Sequence, residues 1–323
     1  MANSSKINTP KHVGIIMDGN GRWAIKNSLK ISEGHKKGVS IVKDIVEESV
    51  KQDLSSLTIY AFSTENWKRP KAEITAIKKL VIDAINDQVP ELKEQRVRLK
   101  FFGHTDDFGK KVIDKIDYAE QETHIKKSKL DLNVALGYGG KQDIVDITKK
   151  IASSVSAKQI KIEDINEKVI HNASSVPVED IDLLIRTGGD KRISNFLLYQ
   201  IAYAEIMFVN KYWPDFNRKD FLKCIDNFKK IKHDSQMYSL ANAFDNNDIK
   251  EFIKRSIKFL NLDNDDGFQY ICEPKIDGLS LNLVYKNGNL ISAGTRGDGF
   301  IGEDVTENIL NIKNIPSNRS EEH

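Results

Sequence analysis

At 323 residues, 39% of them hydrophobic, the chain can bury a real core in one large domain or two ordinary ones. Cys224 and Cys272 have no partner at metal-ligand spacing, the N-terminus is polar, and no run of about 18 apolar residues occurs. A disulfide framework, a signal peptide and a helical membrane span are therefore not expected, and a cytoplasmic protein is. The net charge of +2 hides a division: residues 1–232 carry net +8 and residues 233–323 net −6, which predicts two domains with those bounds.

In chain order, a buried strand is predicted from Val13 to Met17, and Val39, Val42, Val46 and Val50 then repeat at helical spacing. Strand 57–62 follows. Ile74, Ile77, Val81, Ile85 and Val89 mark a second helix, stopped near Pro90. Strand 97–102 precedes a helix over 108–127. Strand 130–136 ends in Gly137–Tyr138–Gly139–Gly140 and leads to a helix over 142–153. Strand 182–186, a helix over 195–202, strand 205–209 and a helix over 219–231 complete the first part. The alternation predicts an α/β fold, a mostly parallel sheet flanked by helices.

Three of these strand ends carry groups that bind anions. Asp18–Gly19–Asn20–Gly21–Arg22 follows the first strand. Backbone N–H groups in its glycine-rich turn can cradle phosphate, the carboxylate can hold a divalent metal on it, and the guanidinium can neutralise it. Ser63 to Arg69 and Arg186 to Ser194 follow two further strands with hydroxyls, amides and arginines. Three such ends suit a substrate with more than one phosphate. Plainer readings stand beside these: Asp18 as a solvated turn acid, His35 as a helix-start residue, Trp23 and Trp67 as core. Glu205 sits in an apolar run, where an acid is costly unless paired or metal-bound.

Together these segments resemble the cis-prenyltransferases, the undecaprenyl diphosphate synthase family. The likeness runs in order over roughly residues 10–231: Asp18–Trp23, Gly34–His35, Tyr60–Trp67, Asn133–Gly140, Arg186–Gly189, Arg192–Leu198, Tyr203–Glu205 and Trp213–Phe216. The resemblance implies condensation of isopentenyl diphosphate with an allylic diphosphate, farnesyl diphosphate, to a cis-polyprenyl diphosphate of the undecaprenyl type. It further implies Mg²⁺ as cofactor, a homodimer, and a lipid product that brings the enzyme to the membrane surface. No nucleic-acid partner is expected of this domain.

By the same resemblance Asp18 and Asn66 are catalytic, with Asp18 and Glu205 at the metal. Gly19, Asn20, Gly21 and Arg22 would cradle the allylic diphosphate, near Trp23, His35, Ser63, Thr64, Glu65, Trp67 and Arg69. Arg186, Arg192, Ile193 and Ser194 would bind isopentenyl diphosphate. A neutral amide is a poor base, so Asn66 reads as a positioning residue. The sequence departs from the family at Ile31, usually arginine, and at Asp190, commonly glutamate. The family's basic tail does not follow Phe228. No Asp-Asp-x-x-Asp motif occurs, which separates the chain from trans-prenyltransferases.

The second part predicts a hairpin around Asn287–Gly288. From about His233 to Pro316 it resembles the start of the adenylation domain of NAD-dependent DNA ligases. Lys275 matches the adenylated lysine, and Ser239, Leu240, Glu273 and Arg296 match NAD contacts. The later nucleotidyltransferase motifs do not follow. A small, inert α+β fragment left by fusion or truncation is expected, with a ligase-like nucleotidyltransferase fragment as the alternative function.

Overall fold

The computed structural model describes residues 6–7, 9–178, 180–228, 230–237, 245–260 and 278–318. Its contacts divide the chain into two compact units. The smaller comprises Met1–Ile7, which includes strand β1 (Lys6–Ile7), together with Lys229–His323; the larger is Asn8–Phe228.

In the larger unit, β2 (His12–Ile16), β3 (Ser56–Ser63), β4 (Val97–Phe102), β5 (Leu130–Tyr138), β6 (Leu183–Arg186) and β7 (Glu205–Phe208) form one sheet. The strand order is β4-β5-β3-β2-β6-β7, and every neighbouring pair is parallel. Parallel neighbours need long crossovers. These contain helices α1 (Asn20–Lys26), α2 (Ile31–Lys51), α3 (Lys71–Glu94), α4 (Lys110–Glu122), α5 (Gly140–Ser156) and α6 (Glu167–Ala173), and α7 (Arg218–Asp226) follows the last strand. Central strands covered on both faces should be apolar throughout, and all four residues of β6 and four of five in β2 are buried. Edge strand β7 instead alternates half-buried and exposed residues. The chain passes from β2 to β3 on one side and later to β6 on the other. Ligands bind at the carboxyl ends of strands beside such a reversal.

Three predicted elements need correction. Helix α3 continues through Pro90 to Glu94. The proline forfeits one helical hydrogen bond, but Ile85, Val89 and Leu92 are buried on either side of it, and packing outweighs that loss. No helix spans 195–202. Ser194, Asn195 and Leu197 have φ of 47°, 61° and 46°, which right-handed helix excludes. The apolar spacing there reflects burial in a turn, since Phe196 and Leu197 are 0% exposed. The last predicted helix stops at Asp226, and the segment after it is extended.

The smaller unit contains β8 (Lys230–Lys232), α8 (Asn246–Leu260), β9 (Leu281–Lys286), β10 (Asn289–Thr295), β11 (Ile301–Glu303) and α9 (Thr306–Leu310). β8 lies between β1 and β11, antiparallel to both. β9 and β10 form a hairpin whose two loop residues, Asn287 and Gly288, have positive φ, as a type I′ turn requires. Ser239, Leu240, Glu273 and Lys275 lie outside the described residues. Among the described residues no helix is long and apolar enough to cross a membrane.

Candidate active site

The carboxyl ends of β2, β3 and β6 open into one cavity of about 670 Å³. The chain turns into α1 at Gly19, whose φ of 109° is left-handed. Thr187 fixes the Asp18 backbone from the neighbouring strand end: its Oγ1 accepts from the Asp18 N–H at 3.0 Å and donates to the Asp18 carbonyl at 2.9 Å. The Trp213 N–H donates to the same carbonyl at 2.9 Å. Gly188 has φ of 90°, and a Cβ there would come within 2.7 Å of Arg22 Nη2 and 3.1 Å of the Asp18 side chain. The loop after β6 must therefore be bare where it faces Asp18.

Arg186 is the buried centre of the site, 3% exposed. It donates to the Arg192 carbonyl, to Ser194 Oγ, to Asp18 Oδ2 at 2.6 Å and to Asp190 Oδ2 at 3.4 Å. Its Nε has no partner among the described residues. Arg22 approaches Asp18 at 3.1 Å and Asp190 at 3.9 Å, and Arg192 bonds Asp190 at 2.7 Å. Two carboxylates thus sit among three guanidiniums. Burial works to raise the Asp18 pKa, but the Arg186 hydrogen bond and the charges of Arg22 and Arg186 outweigh it and hold the group below its usual range. Asp18 is ionised at neutral pH.

In the same lining, Arg69 donates to Glu73 Oε1 at 2.8 Å and His35 Nε2 lies 3.7 Å from the same oxygen. Burial, then the charge of Arg69, depress the His35 pKa against the pull of Glu73. The folded chain therefore favours neutral imidazole. In the unfolded chain the group titrates near 6.5. Below that value the unfolded state binds more protons, so stability present above it is lost as the pH falls toward the folded pKa. Replacing His35 with Asn should shrink the drop in melting temperature between about pH 7.5 and pH 5.5. An equal drop in both proteins would remove this assignment.

Of the residues singled out in the sequence, Asp18, Gly19, Asn20, Gly21, Arg22, His35, Ser63, Glu65, Asn66, Arg69, Arg186, Arg192 and Ser194 line this cavity. Asn66 Oδ1 accepts the Ser63 N–H at 3.1 Å, so its oxygen is engaged in capping a turn. Five others stand outside the lining. Trp23 bonds Asp215 at 2.7 Å, Thr64 bonds Glu65, Trp67 packs on Phe62 and Phe108, and Ile193 packs on the core. Glu205 is register partner of Leu183, at the amino end of β6, three residues from the level of Arg186. Among the described residues no group of three His, Cys, Asp or Glu side chains is placed to hold a metal.

Sequence reasoning missed Thr187 and Tyr212, over whose ring the Arg22 guanidinium lies at 5.3 Å. It also missed Glu73, though its place four residues after Arg69 on a predicted helix was a usable signal.

A second cavity of about 140 Å³ lies between α2, α3 and the sheet, lined by apolar side chains including Val39, Ile77, Val81, Leu99 and Val134. Met17, Asn20, His35 and Ala61 line both cavities.

Residues 16–235 match the prenyltransferase family model described as undecaprenyl diphosphate synthase, and residues 225–323 match the NAD-dependent DNA ligase adenylation domain. A ditrans,polycis-undecaprenyl-diphosphate synthase from Buchnera aphidicola is 44% identical over 220 residues, 68% of this chain and 87% of that protein. Its counterpart from Haemophilus influenzae is 42% identical over 232 residues, 71% of this chain and 96% of that protein. Both names specify (2E,6E)-farnesyl diphosphate. Among solved structures, lavandulyl diphosphate synthase from Lavandula x intermedia, in complex with dimethylallyl diphosphate, aligns at a TM-score of 0.66 and 32% identity. That alignment covers 68% of this chain and 95% of the lavender enzyme.

Proposed function

The chain belongs to the undecaprenyl diphosphate synthase family of cis-prenyltransferases, and from that premise we propose that it extends farnesyl diphosphate with isopentenyl diphosphate units in a Mg²⁺-dependent reaction. One observation carries the reading. An arginine-rich cavity shares four lining residues with an apolar one, so a diphosphate head and a hydrocarbon tail each have a matching place.

Ionisation of the allylic C–O bond puts charge on the departing diphosphate. Arg22 and Arg69 line the cavity where that charge develops, and fixed cations there stabilise it without reorganisation. Arg186, Arg192 and Ser194 hold the second diphosphate and so orient the double bond of the five-carbon unit. Asn66, fixed by its cap, positions the reacting carbons; the proton leaves to a diphosphate oxygen or water. Mg²⁺ fits the donor set because it takes one or two carboxylates together with substrate phosphates, and the Asp18 carboxylate lines the cavity in its ionised form. Asp18 would hold it, and the ion would neutralise the leaving group. Within one protomer Glu205 stands apart from this site.

The activity is assigned to the larger unit, with residues 233–323 as an inert extension. Incorporation of labelled isopentenyl diphosphate onto farnesyl diphosphate, with and without Mg²⁺, tests the reading. No chain-length products, or equal products after chelation, would overturn it.

A homodimer is supported by edge strand β7, whose Ile206 and Phe208 are 40% and 39% exposed, and by an apolar groove of about 660 Å³ along α5 and α6. Phe208→Asp is expected to weaken self-association by at least about tenfold, the scale of one buried aromatic anchor. Sedimentation over a concentration series reads this directly, and an unchanged dimer would place the interface elsewhere.

A further inference from the structure

The loop after β6 is held by a cavity-lining residue that belongs to no helix. Asn195 Nδ2 donates to Glu65 Oε1 at 2.9 Å, beyond β3. Its Oδ1 accepts the Lys141 N–H at 2.8 Å, and its carbonyl accepts the Gly140 N–H at 2.7 Å, both at the start of α5. One residue therefore joins three strand ends. The approach is close. A Cβ on Gly139 would lie 2.5 Å from Thr64 Oγ1 and 2.9 Å from Asn195 Nδ2, so only glycine admits the contact. The backbone of Asn195 is left-handed, which asparagine tolerates better than most residues. Its neighbour Ser194 shares that conformation and meets Arg186.

We propose that Asn195 is a positioning residue that locks the Arg192–Ser194 loop, and with it the isopentenyl diphosphate site, onto the ends of β3 and β5. The inference rests on the function proposed above. Only an amide meets all the demands. An aspartate would keep the acceptor for Lys141 but set a second carboxylate against Glu65, and a glycine would keep the backbone but lose both side-chain bonds.

The experiment uses the full chain with Asn195→Asp, Asn195→Gly, Glu65→Gln and the Asn195→Asp/Glu65→Gln double variant. Calorimetric Kd for isopentenyl diphosphate is read beside KM for both substrates and the melting temperature. Asn195→Asp should weaken isopentenyl diphosphate by about tenfold in Kd and KM, the scale of one hydrogen bond to a charged group. KM for farnesyl diphosphate should stay within about twofold. A generally disordered site would raise both. In the Glu65→Gln background the new amide can donate to the aspartate, and the tenfold penalty should vanish. Asn195→Gly should fall between the wild type and Asn195→Asp. An aspartate variant that binds like the wild type, or the same penalty in both backgrounds, would overturn the role of Asn195. A wild-type chain that binds no isopentenyl diphosphate would instead overturn the functional reading itself.

Discussion

Asp18→Ala is expected to lower kcat by about 10²–10³-fold, the scale of losing one major electrostatic stabiliser. The expectation is specific to the side chain. Thr187 and Trp213 bond the Asp18 peptide groups, which alanine retains, so the turn should keep its shape. Arg186 also keeps Ser194, Asp190 and the Arg192 carbonyl. What disappears is the anion that pairs with Arg22 and Arg186 and that, in the proposed function, would offer oxygen to Mg²⁺. Steady-state kinetics with a melting curve separates the two effects. Asp18→Asn should resemble Ala, because it keeps the volume and loses the charge. Turnover near that of the wild type in either variant would sink the assignment.

Trp213→Ala should cost about 3–5 kcal/mol of stability, the range for emptying a large buried aromatic site. Trp213 is 1% exposed and stacks on Phe216 with ring centroids 5.6 Å apart. Its Nε1 donates to the Gly38 carbonyl at 2.8 Å, inside α2, and truncation would strip a buried acceptor of that partner. Its backbone N–H, which holds the Asp18 carbonyl, survives the truncation, so activity should fall only as far as the emptied site lets that backbone shift. Trp213→Phe fills most of the space but not the hydrogen bond, and about 1–3 kcal/mol is expected of it. Urea denaturation gives both values. A loss under about 1 kcal/mol for the alanine variant would mean that the site collapses around the gap.

Much of this was legible in the sequence, for physical reasons that differ by element. Runs such as Val13–Ile16 and Leu183–Ile185 are buried on both faces, so they had to be apolar from end to end. The phosphate-binding candidates were legible because glycine and arginine at strand ends serve few purposes at once. The turn over 194–203 was not. Its apolar residues repeat near helical spacing, and nothing local in Ser194 or Leu197 announces a left-handed backbone that tertiary contacts impose. Pro90 misled in the opposite sense, since a breaker rule cannot weigh Ile85, Val89 and Leu92 packed around it. The pairing of Thr187 with Asp18 spans 169 positions and has no signature in either neighbourhood. A motif carries no register, so the pairing of Glu205 with Leu183, three residues from the level of Arg186, was not legible either.

The pairing of Ile7 with Lys230 has a consequence for the order of events during synthesis. β1 leaves the ribosome before the other described elements, yet its partner β8 follows only after the last helix of the larger unit. Every residue of the six-stranded sheet is thus available before β1 can be matched. The larger unit can be complete while the first residues still wait. Once it has formed, the closure is no longer that of a long random loop, because a folded body already sets the distance between its ends. A partner fused just before β1 would ride on a strand whose match comes late in translation.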